Sequence, residues 1–257
     1  MTADRWTQAV RQQLGLGRLL PLGGAGDGAW ITEAAAVSVL RHGVRQVPYV
    51  RLGPVRLELV DPDRAAEPAV PPPPSALPPG PLRVTAGFAA SPAEPLPVTA
   101  SRLREAFTRT ATRTLGLRVT EVDLRVTGLL EEDPGTADRD GGDGDGTASG
   151  AGGHPRAQEP RPDDLGPADL RLDDEEARVA AAVRSVPGVT RLDAVHLTHP
   201  DGASGAPALP RRHVRVEIGA TTAVRTLDLA EAVRKNVTAA LPDHPSAAVL
   251  VTALTPL

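Results

Sequence analysis

The hydrophobic and polar positions along the chain follow the same order twice. An amphipathic helical pattern comes first, followed by an apolar strand, a Pro- and Gly-rich excursion, an alternating strand, a second amphipathic helix and a last apolar strand. A related sequence, Val-Pro-x-Val, ends the first helical pattern of each copy, at residues 47–50 and 186–189. The chain is therefore predicted to have an α/β (α+β) fold. It would contain two divergent α-β-β-α-β modules, each a small sheet covered by two helices.

The regions between these patterns set the expected domain boundaries. Low-complexity sequence between the copies cannot bury enough apolar surface to order itself, so it is predicted to be a disordered linker. The Pro-rich excursion of the first copy is expected to be an extended spacer, and residues 5–20 a short amphipathic helix before a flexible glycine connector. The predicted segments are an N-terminal arm (1–28), module 1 (29–130, with its Pro-rich excursion at 61–81), the linker (131–172) and module 2 (173–257).

Several element ends can be predicted from single residues. Thr32 is a suitable N-cap for the first helix, and Gly116 is placed to end the second helix at its C′ position. The apolar positions of the strand after Gly116 change phase at residues 120–121, which predicts a β-bulge or a break in the strand there. Asp228 and Glu231 predict a capping-box start for the last helix.

Composition narrows the classes of function. The chain has 257 residues with two Trp, one Tyr and two Phe, so its cores must be built from Val, Leu and Ala. A formal net charge of −4 argues against a whole-protein nucleic-acid footprint. Zero cysteines exclude a disulfide framework, a thiolate zinc site and a thiol nucleophile. Lys235 is the single lysine among many arginines, which is typical of a GC-rich genome and predicts an actinobacterial origin.

Targeting signals are missing from the sequence pattern. Residues 1–5 lack the basic and apolar regions of a signal peptide. No apolar run approaches the roughly 18 residues of a membrane span. We therefore expect a cytoplasmic location, with any association at a membrane depending on a partner.

Candidate chemistry is sparse. His196-x-x-His199, with His213, has a metal-like spacing, but residues three apart on a strand face opposite sides of the sheet. The aspartates of residues 138–145 lack the distal bidentate Glu of a calcium loop. No serine stands in a nucleophile-elbow context. The sequence predicts no catalytic, cofactor or metal site, and we expect a protein that is not an enzyme.

Two groups of basic residues are candidates for binding an anionic partner, or are simply solvated faces of helices and strands. The first group consists of Arg102, Arg109, Arg113 and Arg118. The second group, which is the predicted contact set, consists of Arg211, Arg212, Arg215, Arg225, Arg234 and Lys235. In the solvated interpretation, Arg215 and Glu217 point outward from an alternating strand.

Several of these pieces together resemble the alkaline shock protein family. The most specific piece is a helix followed by Gly-Leu-x-Val-x-x-Val-x-x-x-Val-x-Gly, and module 2 resembles the family more distantly over residues 175–254. The matching pieces of module 1 are residues 31–35, 47–50, 82–85, 103–115 and 117–128.

The resemblance implies a non-catalytic cytoplasmic scaffold or adaptor linked to cell-envelope stress, with two modules packed as a pseudo-dimer. It implies protein partners, including a membrane-anchored one, and self-association. A binding module for nucleic acid or an acidic ligand, using the second arginine group, is the alternative. An undetected enzyme is the third hypothesis.

Overall fold

The computed structural model describes residues 16–130, 167–198 and 212–256, and side chains in the second range from residue 174 onward. The first copy contains β1 (Leu19–Leu22), β2 (Ala29–Thr32), α1 (Glu33–Val44), β3 (Val50–Leu59), β4 (Leu82–Ala90), α2 (Leu96–Arg109) and β5 (Val119–Leu129). The second copy contains α3 (Pro167–Arg184), β6 (Val189–Thr198), β7 (His213–Thr221), α4 (Thr226–Ala240) and β8 (Ser246–Thr255).

The two copies share one topology. In the first, β3 pairs antiparallel with β4, and β4 pairs parallel with β5. In the second, β6 pairs antiparallel with β7, and β7 pairs parallel with β8. The parallel pair in each copy needs a crossover, which α2 and α4 supply. The predicted mixed α+β fold is confirmed.

The copies are joined by a strand that crosses from one to the other. β2 pairs parallel with β8, so the described residues form a five-stranded sheet, β1-β2-β8-β7-β6, and a three-stranded sheet, β3-β4-β5. Thr32 Oγ1 donates a hydrogen bond to the Thr252 carbonyl at 3.0 Å. Buried residues of both copies belong to one continuous hydrophobic core. The pairing of β2 with β8 makes the two copies one packed unit.

Residues 16–28 differ from their prediction as a helical arm and a flexible connector. β1 and β2 form an antiparallel hairpin, and residues 23–28 are its turn. The turn is held where Asp27 Oδ2 accepts a 2.6 Å hydrogen bond from the Gly24 amide, and the Gly23 amide donates to the Gly116 carbonyl. The helix prediction was wrong for residues 19 and 20 because tertiary packing favours the strand, and residues 5–15 lie outside the described ranges.

The Pro-rich excursion, predicted to be a spacer, is packed against the sheet. Its Leu77 amide donates to the Leu19 carbonyl at 2.9 Å, and its Leu77 carbonyl accepts a bond from Trp30 Nε1 at 3.3 Å. Val70 of the excursion belongs to a second small core, on the face of the five-stranded sheet that the excursion covers. The buried members of that core are Leu19, Trp30, Val70, Ala248 and Leu250.

Two predicted helix ends and one predicted strand irregularity are confirmed. Thr32 caps α1 by accepting from the Ala35 amide at 3.3 Å. Gly116 ends the second helix with φ of 86°, after a π-helical turn at Thr110–Leu115 that extends α2. The register of β5 against β4 moves between Val119 and Glu121, so the bulge lies at Thr120 as the phase change predicted.

Two element starts differ from their predictions. α3 begins at Pro167, so residues 167–172 of the predicted linker are helical, and residues 131–166 lie outside the described ranges. α4 begins at Thr226, and Asp228 therefore stands inside its first turn instead of at the N-cap. Asp228 accepts a 3.0 Å hydrogen bond from Arg225 Nη1, so the predicted capping box is wrong.

Candidate interaction surfaces

Among the described residues, the outer edge of β5 has no partner strand, whereas the equivalent edge of β8 is occupied. Each strand is the last of its copy and pairs in parallel on one side, with β4 or β7. On its other side β8 receives β2, and its residues 247–251 are all buried. β5 has no strand on its other side among the described residues, and none of its residues is fully buried. The same position in the fold is therefore closed in one copy and open in the other.

The inward side of β5 is apolar and only partly covered. Val122, Leu124 and Val126 stand opposite buried residues of β4, and α2 lies over the strand. Val126 is nevertheless 43% exposed, and Leu129 at the end of β5 is 62% exposed. Unpaired backbone groups beside apolar side chains are the features of a strand-binding edge.

The outward side of the same strand is polar. Arg83 of β4 lies 2.6 Å from Glu121 Oε2 and 3.3 Å from Asp123 Oδ2 of β5, and 3.6 Å from Glu58 of β3. The hydrogen bond and charge of Glu121 raise the pKa of Arg83 above its ordinary value, with smaller contributions from Asp123 and Glu58. This network links the three strands across their outer face, and its side chains are partly exposed to solvent.

Glu217 does not point into solvent as the alternation of β7 predicted. Its side chain is 3% exposed, with His196 Nε2 at 3.2 Å from Oε1 and Arg215 Nε at 3.6 Å. Glu217 stands opposite Leu250 in the register, on the face of the five-stranded sheet that also holds Trp30. Because this face is packed, Glu217 is buried on it, and Arg215 on the same face is only 17% exposed. Burial lowers the pKa of Arg215, and the charge of Glu217 opposes that effect.

Two of the three histidines that have a metal-like spacing are engaged with other side chains. His196 contacts Glu217, and His213 Nδ1 lies 2.9 Å from Ser246 Oγ. His199 lies outside the described ranges. Across the described ranges, no group of three or more potential ligands is arranged to hold a metal ion. No helix in those ranges has the length and apolar character that crossing a bilayer requires.

His213 predicts a pH dependence of stability. Burial lowers its pKa most, the charge of Arg215 lowers it further, and the bond with Ser246 partly opposes this. The unfolded chain, with a pKa of about 6.5, then takes up a proton before the folded chain does, so stability falls as pH drops below about 6.5. In His213→Asn, we expect the loss of stability between pH 7.5 and 5.5, measured by urea unfolding, to be smaller than in the wild type. An unchanged loss in that variant, or an equal reduction in His42→Asn at an exposed position, would contradict this assignment.

The predicted anion-binding residues do not form a single face. Arg212 pairs with Glu175 and, at 3.2 Å, with Asp243. Arg225 precedes α4 and donates to the Thr112 carbonyl at 3.0 Å as well as to Asp228. Arg212 and Arg225 lie at opposite ends of the second copy, Arg215 is largely buried on the sheet, and Arg211 lies outside the described ranges.

Arg234 and Lys235 are the members of that set that the structure brings together in the described ranges. They line an open groove of about 770 Å³ between α4 and the β1–β2 turn. Arg234 Nη1 donates to the Gly26 carbonyl, and Asp27 and Glu231 line the same groove. Acidic and basic groups are therefore mixed there, which makes the groove a poor match for a strongly anionic ligand.

The edge of β5 was not identified as a site from the sequence. Its residues have the alternation expected of any half-buried strand, and the prediction treated them as core positions. The sequence pattern does not show that β2 pairs with β8, and this pairing is what distinguishes the edge of β8 from the edge of β5. A signal was available in two short apolar runs, Leu-Leu-Pro-Leu and Ala-Trp-Ile-Thr, separated by a glycine-rich turn, which is a hairpin pattern.

Comparisons with known proteins give little further information. No family model matches the chain, and no curated protein matches it significantly. Two zinc-form structures of MamM CTD variants are similar over about a third of the chain, each with 17% identity and a TM-score of 0.27. The matches cover 33% and 32% of this chain and 87% and 86% of those chains. At that TM-score, neither structure supports a conclusion about this chain.

Proposed function

We propose that this protein is a non-catalytic scaffold or adaptor linked to cell-envelope stress, and that it binds protein partners through the free edge of β5. The observation that carries the proposal is the difference between the two copies. β8 already accepts a strand at this position, while the same edge of β5 is unpaired in the part of the chain that the structure describes. An edge of this kind binds an extended segment by backbone hydrogen bonds.

The features of the other edges favour β5 as the binding site. β1 contains Pro21 and is covered at Leu19 by a bridge to Ala76. β3 is interrupted by an irregularity between Leu52 and Val55, and β6 by two such irregularities. β5 has no proline, and its own two register shifts, at Thr120 and Thr127, leave a regular register over residues 121–126. Proline and bulges protect edge strands from pairing, so β5, which keeps the longest regular run of any described edge strand, is the least protected of these edges.

The link to the cell envelope is supported by the sequence resemblance of residues 29–130 to the alkaline shock protein family. The matching residues are mainly core positions, such as Leu103 and Phe107, which are fully buried in α2. The resemblance therefore supports a shared architecture and, with it, the non-catalytic role and the membrane-anchored class of partner proposed here. The partner-binding edge is argued from the structure alone.

Replacing Val126 with lysine is expected to abolish partner binding. The change puts a charge on the apolar side of the open edge, where an added strand would have to cover it. In affinity purification from the native host, we expect recovery of specific partners to fall about tenfold or more. Amide hydrogen exchange in the purified wild-type complex should show protection of β5. Because Val126 is already 43% exposed, the free energy of unfolding should change by less than about 1 kcal/mol.

Val224→Lys is the matched control, since Val224 is 40% exposed in the loop between β7 and α4, where it lies beside Gly188, and it receives the same substitution. Partner recovery should survive in this control. Equal recovery with Val126→Lys and wild type would remove β5 from the proposal. Partners that are lost on nuclease treatment, with nucleic-acid absorbance in the eluate, would replace the proposal by the nucleic-acid alternative.

A further inference from the structure

The regular part of β5 has a sequence that complements itself. Read outward from Leu124, the neighbours are Asp123 on one side and Arg125 on the other, followed by Val122 and Val126. The two valines and Leu124 share the apolar face, while Asp123 and Arg125 share the polar face. The charges are opposite and stand at equal distances from the centre.

An antiparallel pair of such strands would match at each position over residues 122–126. With a two-fold axis at Leu124, Asp123 of each copy stands opposite Arg125 of the other, and Val122 stands opposite Val126. Directly opposite side chains of unlike charge stabilise antiparallel pairs, and like charges destabilise them. A parallel pair in register would instead put Asp123 beside Asp123. The sequence of β5 therefore favours the antiparallel arrangement.

The two charged groups are available for this pairing. Asp123 is exposed, although it lies 3.3 Å from Arg83 Nε within its own copy. Arg125 is exposed and has no ion-pair partner among the described residues. A second copy would supply a carboxylate to Arg125 and would cover Leu124 and Val126, the apolar groups that β4 and α2 leave partly open.

We propose that β5 pairs antiparallel with β5 of a second copy of this chain across a two-fold axis at Leu124, which extends β3-β4-β5 into a six-stranded sheet. This inference rests on the proposed function, because it names a second copy of this chain as a protein partner of the same edge. Self-complementarity is what singles out a second copy, since an unrelated strand would have no reason to be matched by this internal symmetry. Two identical edges also form a closed dimer in place of an open filament.

The charge pair allows a test by exchange of charges. Arg125→Asp gives two Asp–Asp pairs in the dimer, and Asp123→Arg gives two Arg–Arg pairs. In sedimentation equilibrium of the full chain, we expect each single variant to dissociate with a Kd about tenfold or more above that of the wild type. The double variant, Asp123→Arg with Arg125→Asp, restores both opposite-charge pairs and should recover most of the affinity. An equimolar mixture of the two single variants should form a heterodimer for the same reason.

Arg56→Asp is the matched control, because Arg56 is exposed on the outer face of β3 in the same sheet, remote from the edge of β5. It should leave the dimer unchanged, and thermal unfolding should confirm that every variant is folded. A monomeric wild type, or single variants that dimerise normally, would overturn the self-pairing. If the self-pairing is overturned in this way but the Val126→Lys variant still fails to recover a protein other than this chain, the proposed function stands without the dimer. If neither dimer nor partner depends on β5, both fail.

Discussion

Gly116→Ala is expected to destabilise the protein by about 3 kcal/mol, from backbone strain plus overpacking. Gly116 has φ of 86°, a conformation that disfavours any side chain, and a Cβ at this position would overlap Leu227 Cβ at the start of α4. The overlapped atom is next to the backbone, so it cannot move away by a rotamer change. The measurement is urea unfolding followed by circular dichroism.

Gly17→Ala separates the two contributions. Gly17 has φ of 65°, but nothing lies within 4 Å of a Cβ built there, so this variant carries backbone strain without the overlap. It should cost only about 1 kcal/mol. Equal losses in Gly116→Ala and Gly17→Ala would show that α4 does not pack against Gly116, and hence that the contact between the copies is looser than described.

Trp30→Ala should have an effect of similar or larger size, about 3 to 5 kcal/mol. Trp30 is 1% exposed and is the largest side chain of the small core between the five-stranded sheet and the Pro-rich excursion. Its loss removes the cover of Val70 and the hydrogen bond to the Leu77 carbonyl. Besides the shift in urea unfolding, we expect faster proteolysis within residues 61–81.

Trp30→Phe is the informative companion of this change. It keeps most of the buried volume but loses the Nε1 donor, so it should cost about 1 to 2 kcal/mol and leave the excursion packed. If the alanine and phenylalanine variants lost the same stability, the hydrogen bond would outweigh the packing. If neither increased proteolysis of the excursion, that segment would be held by contacts other than Trp30.

Local pattern was enough to predict the repeated module. The alternation of Leu82, Val84, Ala86 and Phe88 placed four residues correctly on the buried face of β4. Thr32, Gly116 and the bulge at Thr120 could also be predicted, because capping, positive φ and a change of phase are properties of a few neighbouring residues. These features need no knowledge of distant parts of the chain.

What could not be predicted depends on contacts between distant residues. β1 and β2 have four residues each, too few for a periodic signal. Glu217 looked solvent-facing because alternation shows that two faces differ, but not whether the polar face is covered. The candidate site had the same difficulty. β5 and β8 are both apolar last strands, and only the docking of β2 against β8 makes one of them a closed strand and the other an open edge.

The pairing of β2 with β8 also determines when this protein can fold during synthesis. The hydrogen bond from Thr32 to Thr252 spans 220 residues, so the ribosome must add that many residues after β2 before its neighbour exists. At about 5 to 20 residues per second, β2 and its hairpin wait roughly 10 to 45 seconds with one edge unpaired. Contacts of such high sequence separation also slow folding itself. Counting only strands in the described ranges, the nascent first copy therefore has open edges at β2 and β5, and synthesis of β8 closes the edge of β2.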